Sequence, residues 1–145
     1  MKVSTRGRYA LRLCIDVALQ NRELYTSLKA ISERQCISIK YLEQIIPLLS
    51  KAGLLVSSRG PAGGYKLARD PETITVFEIL KAGEGSLSSV SCLEPDENPC
   101  PRQHTCPSLE IWQGLDNAIE TYLRSVSLAD VMRKDRVNTA LDYAI

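Results

Sequence analysis

Apolar residues recur at helical spacing along the first stretch of the chain. Leu11, Cys14, Ile15, Ala18 and Leu19 fall on one stripe, which predicts an amphipathic helix from about residue 5 to 20. Thr26 or Ser27 can cap a short helix from Leu28 to about Gln35, and Ser38 opens another that carries Leu42, Ile45, Ile46 and Leu49. Cys36 stands in the turn between them, a place often held by glycine. Pro47 falls inside the later helix, where it should kink the axis or tighten the last turn, and Gly53 ends it. Leu54-Leu-Val-Ser-Ser then predicts a short strand, Arg59-Gly-Pro-Ala-Gly-Gly64 a turn, and Tyr65-Lys-Leu-Ala a returning strand.

Two short helices joined by a tight turn form a helix-turn-helix, and a β-hairpin after it makes a winged helix. Thr75-Val-Phe-Glu78 is a capping box that opens a further helix to about Lys81. Residues 83–107 have no periodicity. A stretch of that length without regular structure is unusual inside a compact domain and is often functional. A long helix follows to about Ser125. Trp112, Leu115, Ile119, Tyr122 and Val126 line one side, widened by Ile111, Ala118 and Leu123. That face is broader than one small domain needs, so part of it is expected to pack on a second copy. Ser127-Leu-Ala-Asp130 is another capping box, for a short helix to about Lys134. Residues 135–145 read as a frayed tail.

The expected fold is therefore mainly α with a small β-hairpin. A winged helix-turn-helix occupies residues 1–82 and a cysteine-containing loop 83–107. A dimerisation helix with a short following helix occupies 108–134, before the tail.

Charge sharpens the division. Residues 1–69 hold twelve Lys/Arg against four Asp/Glu, net +8, and residues 70–145 hold six against thirteen, net −7. A basic half beside an acidic half predicts one surface for a polyanion and another that avoids it. No run approaches the ~20 apolar residues of a membrane span. The N-terminal Met-Lys-Val-Ser-Thr-Arg-Gly-Arg lacks the apolar core of a signal peptide, so the expected compartment is the cytoplasm. Thiols stay reduced there, and five cysteines argue against a closed disulfide framework.

In a helix-turn-helix the second helix enters the major groove, its N-terminal residues facing the base edges. Here those are Ser38, Lys40, Tyr41, Glu43 and Gln44. Lys40 can reach guanine or phosphate, Gln44 an adenine edge, and Glu43 a cytosine amino group. Arg59 beside Gly60 on a thin hairpin suits a narrow minor groove. Lys2, Ser4, Thr5, Arg6 and Arg8 can hold the phosphate backbone.

Cys92, Cys100 and Cys106 are spaced Cys-x7-Cys-x5-Cys in a proline-rich stretch. Three thiolates suggest an iron–sulfur cluster, with zinc or direct thiol oxidation as alternatives. His104 is the local candidate for a fourth ligand, ahead of Glu94, Asp96, Glu97 and Glu110. Cys14, on the apolar stripe, reads as a buried structural thiol. Cys36 reads as a more exposed turn residue. The one histidine lies in the loop and no nucleophile–base pair is visible, so an enzyme is not expected.

Thr5-Arg-Gly-Arg-Tyr-Ala, Ile31-Ser-Glu-Arg-Gln-Cys-Ile-Ser, Tyr41-Leu-Glu-Gln and Ser58-Arg-Gly-Pro-Ala-Gly-Gly-Tyr closely resemble the IscR-type family of bacterial winged-helix transcription regulators, over about residues 1–134. The resemblance implies a homodimer, joined by the helix after the cysteine loop, that binds palindromic promoter DNA through Tyr41, Glu43 and Arg59. It implies an iron–sulfur cluster on Cys92, Cys100 and Cys106, [2Fe–2S] being the expectation, although the first gap is two residues longer than usual. Leu109 and Arg8 stand where members of the family place a fourth ligand. Such regulators sense cluster, redox or nitric-oxide status and control genes such as those for cluster biogenesis. Iron–sulfur assembly proteins are one candidate set of partners. A second branch of the family, which generally lacks the cysteine trio, controls cysteine metabolism with a partner enzyme.

Overall fold

The computed structural model describes residues 2–95 and 100–144, with the side chains of Tyr143 and Ala144 left out. Helix α1 spans Thr5–Leu19, α2 Leu28–Gln35 and α3 Ile39–Lys51. Serines open all three. Ser4, Ser27 and Ser38 each accept a hydrogen bond from a backbone N–H three residues on. Between α2 and α3, Cys36 takes the left-handed conformation at φ 53°, the geometry that glycine usually supplies. Helix α3 runs through Pro47 to Lys51 and closes in a Schellman motif. Leu54 N–H reaches Leu49 C=O, Gly53 N–H reaches Ser50 C=O, and Gly53 sits at φ 74°.

Strands β1 (Leu55–Ser58) and β2 (Gly64–Leu67) pair antiparallel, Leu55 opposite Leu67 and Ser58 opposite Gly64. Thr26 adds a third rung, exchanging two 2.8 Å backbone bonds with Tyr65. That approach requires glycine at 64, where a Cβ would stand 2.1 Å from Thr26 O and φ is 148°. The wing is thus pinned at its root to the segment between α1 and α2.

A short 3-10 turn, Pro71–Thr73, leads into α4 (Val76–Glu84), opened by the capping box of Thr75 and Glu78. A second 3-10 turn, Ser91–Leu93, precedes α5 (Leu109–Ser125) and α6 (Leu128–Ala144). The α5–α6 junction returns to the start of α4. Val76 N–H bonds Val126 O at 2.9 Å and Leu128 N–H bonds Ile74 O at 2.8 Å.

The core gathers Ala10, Leu13 and Cys14 of α1, Ile31 of α2, Leu42, Ile45 and Leu49 of α3 and Ile79 of α4. Leu128 joins it fully buried. The first turn of α6 therefore packs against the winged body. The expected tail also differs: residues 135–144 continue α6 as helix. Arg133, bonded to Asp130 and Glu72, braces its first half.

Candidate nucleic-acid interface and cysteine loop

Ser38, Lys40, Glu43 and Gln44 are all exposed on the first half of α3, beneath which Leu42, Ile45 and Ile46 are buried. Ser38 Oγ accepts from Tyr41 N–H at 3.1 Å, and its own hydroxyl proton stays available. Tyr41 is half-buried. Its ring meets that of Tyr9 edge-on, centroids 5.3 Å apart and planes at 75°. The Arg12 guanidinium lies 5.2 Å from the Tyr9 ring centroid. Arg59 and Gly60 are exposed at the wing tip, where Gly60 has φ 100° and its carbonyl receives Gly63 N–H at 2.9 Å.

The N-terminal candidates divide. Lys2, Thr5 and Arg8 are exposed, with Arg8 Nη2 donating to Thr5 Oγ1 at 3.0 Å. Ser4 and Arg6 are exposed as well, and each also bonds the end of α4. Ser4 N–H and Oγ–H both donate to Glu84 Oε1, at 2.9 and 2.7 Å, and Arg6 Nε donates to Gly83 O at 2.6 Å. Gly7 and Gly83 make the approach possible: a Cβ on Gly83 would lie 3.1 Å from Gly7 Cα, and one on Gly7 would meet Glu84. Glu84 occupies the anion-attracting start of α1 that a DNA phosphate would also favour. Sequence reasoning missed Glu84 because its partner lies 80 residues away.

Asp16 was missed as well. It is 3% exposed, and its carboxylate accepts two bonds from the Arg34 fork, at 2.9 and 2.8 Å, and one from Gln35 Nε2 at 3.0 Å. Its only sequence signal is a lone acid within Leu13-Cys14-Ile15-Asp16-Val17. The Asp16 hydrogen bonds raise the Arg34 pKa above its ordinary value.

In the loop, Cys92 sits in the 3-10 turn. Cys100 and Cys106 flank a pair of turns in which Gln103 N–H bonds Cys100 O and Thr105 N–H bonds Arg102 O. All three are partly exposed free thiols. Cys106 Sγ lies 3.2 Å from Ser108 Oγ, and hydrogen bonding from Ser108 pulls its thiol below the usual range. The donor chemistry suits three corners of an iron–sulfur site. Among the described residues no group of three His, Cys, Asp or Glu is gathered for a metal ion. His104, Glu94 and Glu110 are exposed, whereas Asp96 and Glu97 lie outside the described residues. Just before Cys92 the loop is fastened to α5, Ser89 N–H donating to Asp116 Oδ1 at 2.8 Å.

Helix α5 buries no residue. Trp112, Ile119 and Leu123 are half-buried, while Ile111, Leu115, Ala118 and Tyr122 form an exposed stripe at helical spacing. No helix is long and apolar enough to cross a membrane among the described residues.

Known proteins share this arrangement. The profile of the Rrf2 family, described as iron-dependent transcriptional regulator, matches residues 3–134. Protein rrf2 of Nitratidesulfovibrio vulgaris is 42% identical over 134 residues, covering 92% of this chain and 88% of that protein. The HTH-type transcriptional regulator IscR of Aliivibrio salmonicida is 37% identical over 142 residues, covering 98% and 83%. Among solved structures, CymR, the global cysteine regulator of B. subtilis, superposes with TM-score 0.74 at 39% identity, covering 92% of this chain and 98% of its own. T. potens IscR gives 0.72 at 37%, covering 93% and 88%. The chain belongs to the Rrf2 family, as an IscR-type winged-helix transcription regulator and not an enzyme.

Proposed function

We propose that two copies of this chain bind palindromic promoter DNA, and that an iron–sulfur cluster on Cys92, Cys100 and Cys106 sets their grip. The observation that carries this reading is where the three thiols lie. Their loop joins the end of α4, which bonds to the first turn of α1, to α5, whose outer stripe is apolar and exposed. Fastening the loop would bear on the DNA-facing start of α1 and on the dimer helix together. The family description as iron-dependent and the IscR relatives support the same reading.

On DNA, Lys40, Glu43 and Gln44 of α3 read base edges, Arg59 enters the minor groove, and Lys2, Thr5 and Arg8 hold phosphates. When bound, the cluster supplies a redox-labile tie among three points of the loop, of the [2Fe–2S] type in this reading. The chain's own residues carry that tie outward: Asp116 holds Ser89 on α5, and Glu84 holds Ser4 on α1. His104 is the candidate fourth ligand.

The test is anaerobic purification with iron and sulfide analysis, then DNA binding before and after chelation. Replacing any of Cys92, Cys100 or Cys106 by Ala should abolish visible absorption and leave a folded dimer. Unchanged spectra in all three variants would sink the cluster reading.

The CymR likeness and the lowered pKa of Cys106 favour a second reading, a thiol- or zinc-based regulator of cysteine metabolism acting with a partner enzyme. Zinc in place of iron, or a metabolic enzyme that co-purifies in fixed ratio, would select it.

A further inference from the structure

Arg12 belongs to no group of DNA-contacting residues considered so far, yet its side chain joins three elements of the reading head. It is exposed on α1. Its Nε donates to Gln35 Oε1 at 3.2 Å and its Nη2 to the Gln35 carbonyl, the last residue of α2 before the left-handed turn. Its guanidinium plane lies by the Tyr9 ring, which meets Tyr41 of α3 edge-on. The anchor is itself anchored: Gln35 Nε2 donates to buried Asp16. A side chain used only for phosphate would have no need of two bonds to one residue and a ring beneath it. A planar fork with several fixed donors can make all of these at once, and an ammonium cannot.

We infer that Arg12 is a positioning residue for base reading: through Gln35 and the Tyr9–Tyr41 pair it fixes the angle at which α3 presents its base-reading side chains. The inference rests on α3 being the reading helix. Arg12→Lys separates positioning from charge, because lysine keeps the positive charge and loses the fork. Arg12 is exposed, so the variant is expected to fold.

The measurement uses the full chain and two fluorescent duplexes. One is a palindrome selected from a random pool by the wild-type protein. The other has the same base composition with the half-sites scrambled. Affinity for each is read by anisotropy at several salt concentrations. Arg12→Lys should keep its melting temperature, its affinity for the scrambled duplex and its salt slope. The ratio of selected to scrambled affinity should fall by about tenfold, the order of one lost base-reading contact. Gln35→Ala should lower the same ratio by severalfold. A wild-type ratio in Arg12→Lys, with only Arg12→Ala affected through its salt slope, would make Arg12 a plain phosphate contact and overturn the inference. If Gln44→Ala and Glu43→Ala leave the ratio unchanged, it is the reading by α3 that fails.

Discussion

The winged body and the segment that follows it are ordered by different means. In residues 2–84, Leu13, Ile31, Leu42, Ile45, Leu49 and Ile79 are fully buried in one core drawn from α1 to α4 and closed by Leu128 of α6. Among the described residues of the loop and α5 the polar fastenings are few, and α5 has 17 residues without a buried one. Ile111 and Tyr122 are 64% and 65% exposed. The first region carries its own hydrophobic driving force. The second presents apolar surface and thiols that gain burial or ligation only from something else. In the proposed reading, such a regulator keeps its DNA-reading part constant and leaves its control part dependent on what it meets.

Core truncation should give the largest effect. Leu42→Ala removes a fully buried side chain beneath the recognition face and should cost about 3 kcal/mol in urea unfolding. A loss below ~1 kcal/mol would mean that the body is not held by this core. Leu115→Asp, on the exposed stripe of α5, should leave helix content and melting of the body nearly unchanged. It should convert a dimer to monomer in sedimentation and lower affinity for a two-half-site duplex on the order of 100-fold, since linkage of the sites is lost. A dimer that survives this charge would place the second copy elsewhere.

The same contrast explains what could be read from sequence. Local signals were legible: the caps at Ser27 and Ser38, the boxes at Thr75–Glu78 and Ser127–Asp130, Cys36 at a glycine-like turn, and the glycines of the wing. Each depends on neighbours within a few residues, so spacing carries it. The bonds of Ser4 and Arg6 to Glu84 and Gly83 were not legible, because those partners are far along the chain. Asp16 hid because one acid on an apolar stripe looks like the edge of a polar face. Beyond Lys134, α6 has no apolar periodicity, and the side chains of residues 135–142 are exposed, so no pattern marked the helix as continuing. In the cysteine loop the sequence offered three cysteines at suggestive spacing. The described structure gathers no such group, so spacing alone left ligation unsettled.

Thiol labelling sharpens the comparison without changing stability. Cys14 is fully buried, and burial pushes its thiol up to about 12. Raising the pKa of an acid favours its neutral form, so at pH 8 only about 10⁻⁴ of Cys14 is the reactive thiolate. Iodoacetamide on the native, metal-free protein should modify Cys36, Cys92, Cys100 and Cys106 within minutes to hours and spare Cys14 until the body unfolds. Mass mapping reads the order. Early labelling of Cys14 would show that the body opens locally.

The smallest effect is expected where the two regions join. Glu84 ends α4, begins the loop, and caps the start of α1 through Ser4. Glu84→Gln keeps an oxygen that accepts from Ser4 N–H and Oγ–H but removes the negative charge, so the brace should persist and melting should hardly move. If the start of α1 faces DNA as proposed, that charge repels phosphate. Its loss should strengthen binding to any duplex by about 0.5 kcal/mol at low salt, fading as salt rises. Glu84→Ala removes the acceptor too, and should lower stability by about 1 kcal/mol while freeing the loop from α1. The two variants together decide what the carboxylate is for. If Glu84→Gln weakens DNA binding, then the charge holds the first turn of α1 in its binding geometry rather than competing with phosphate. The joint would then couple the regions through position, not electrostatics.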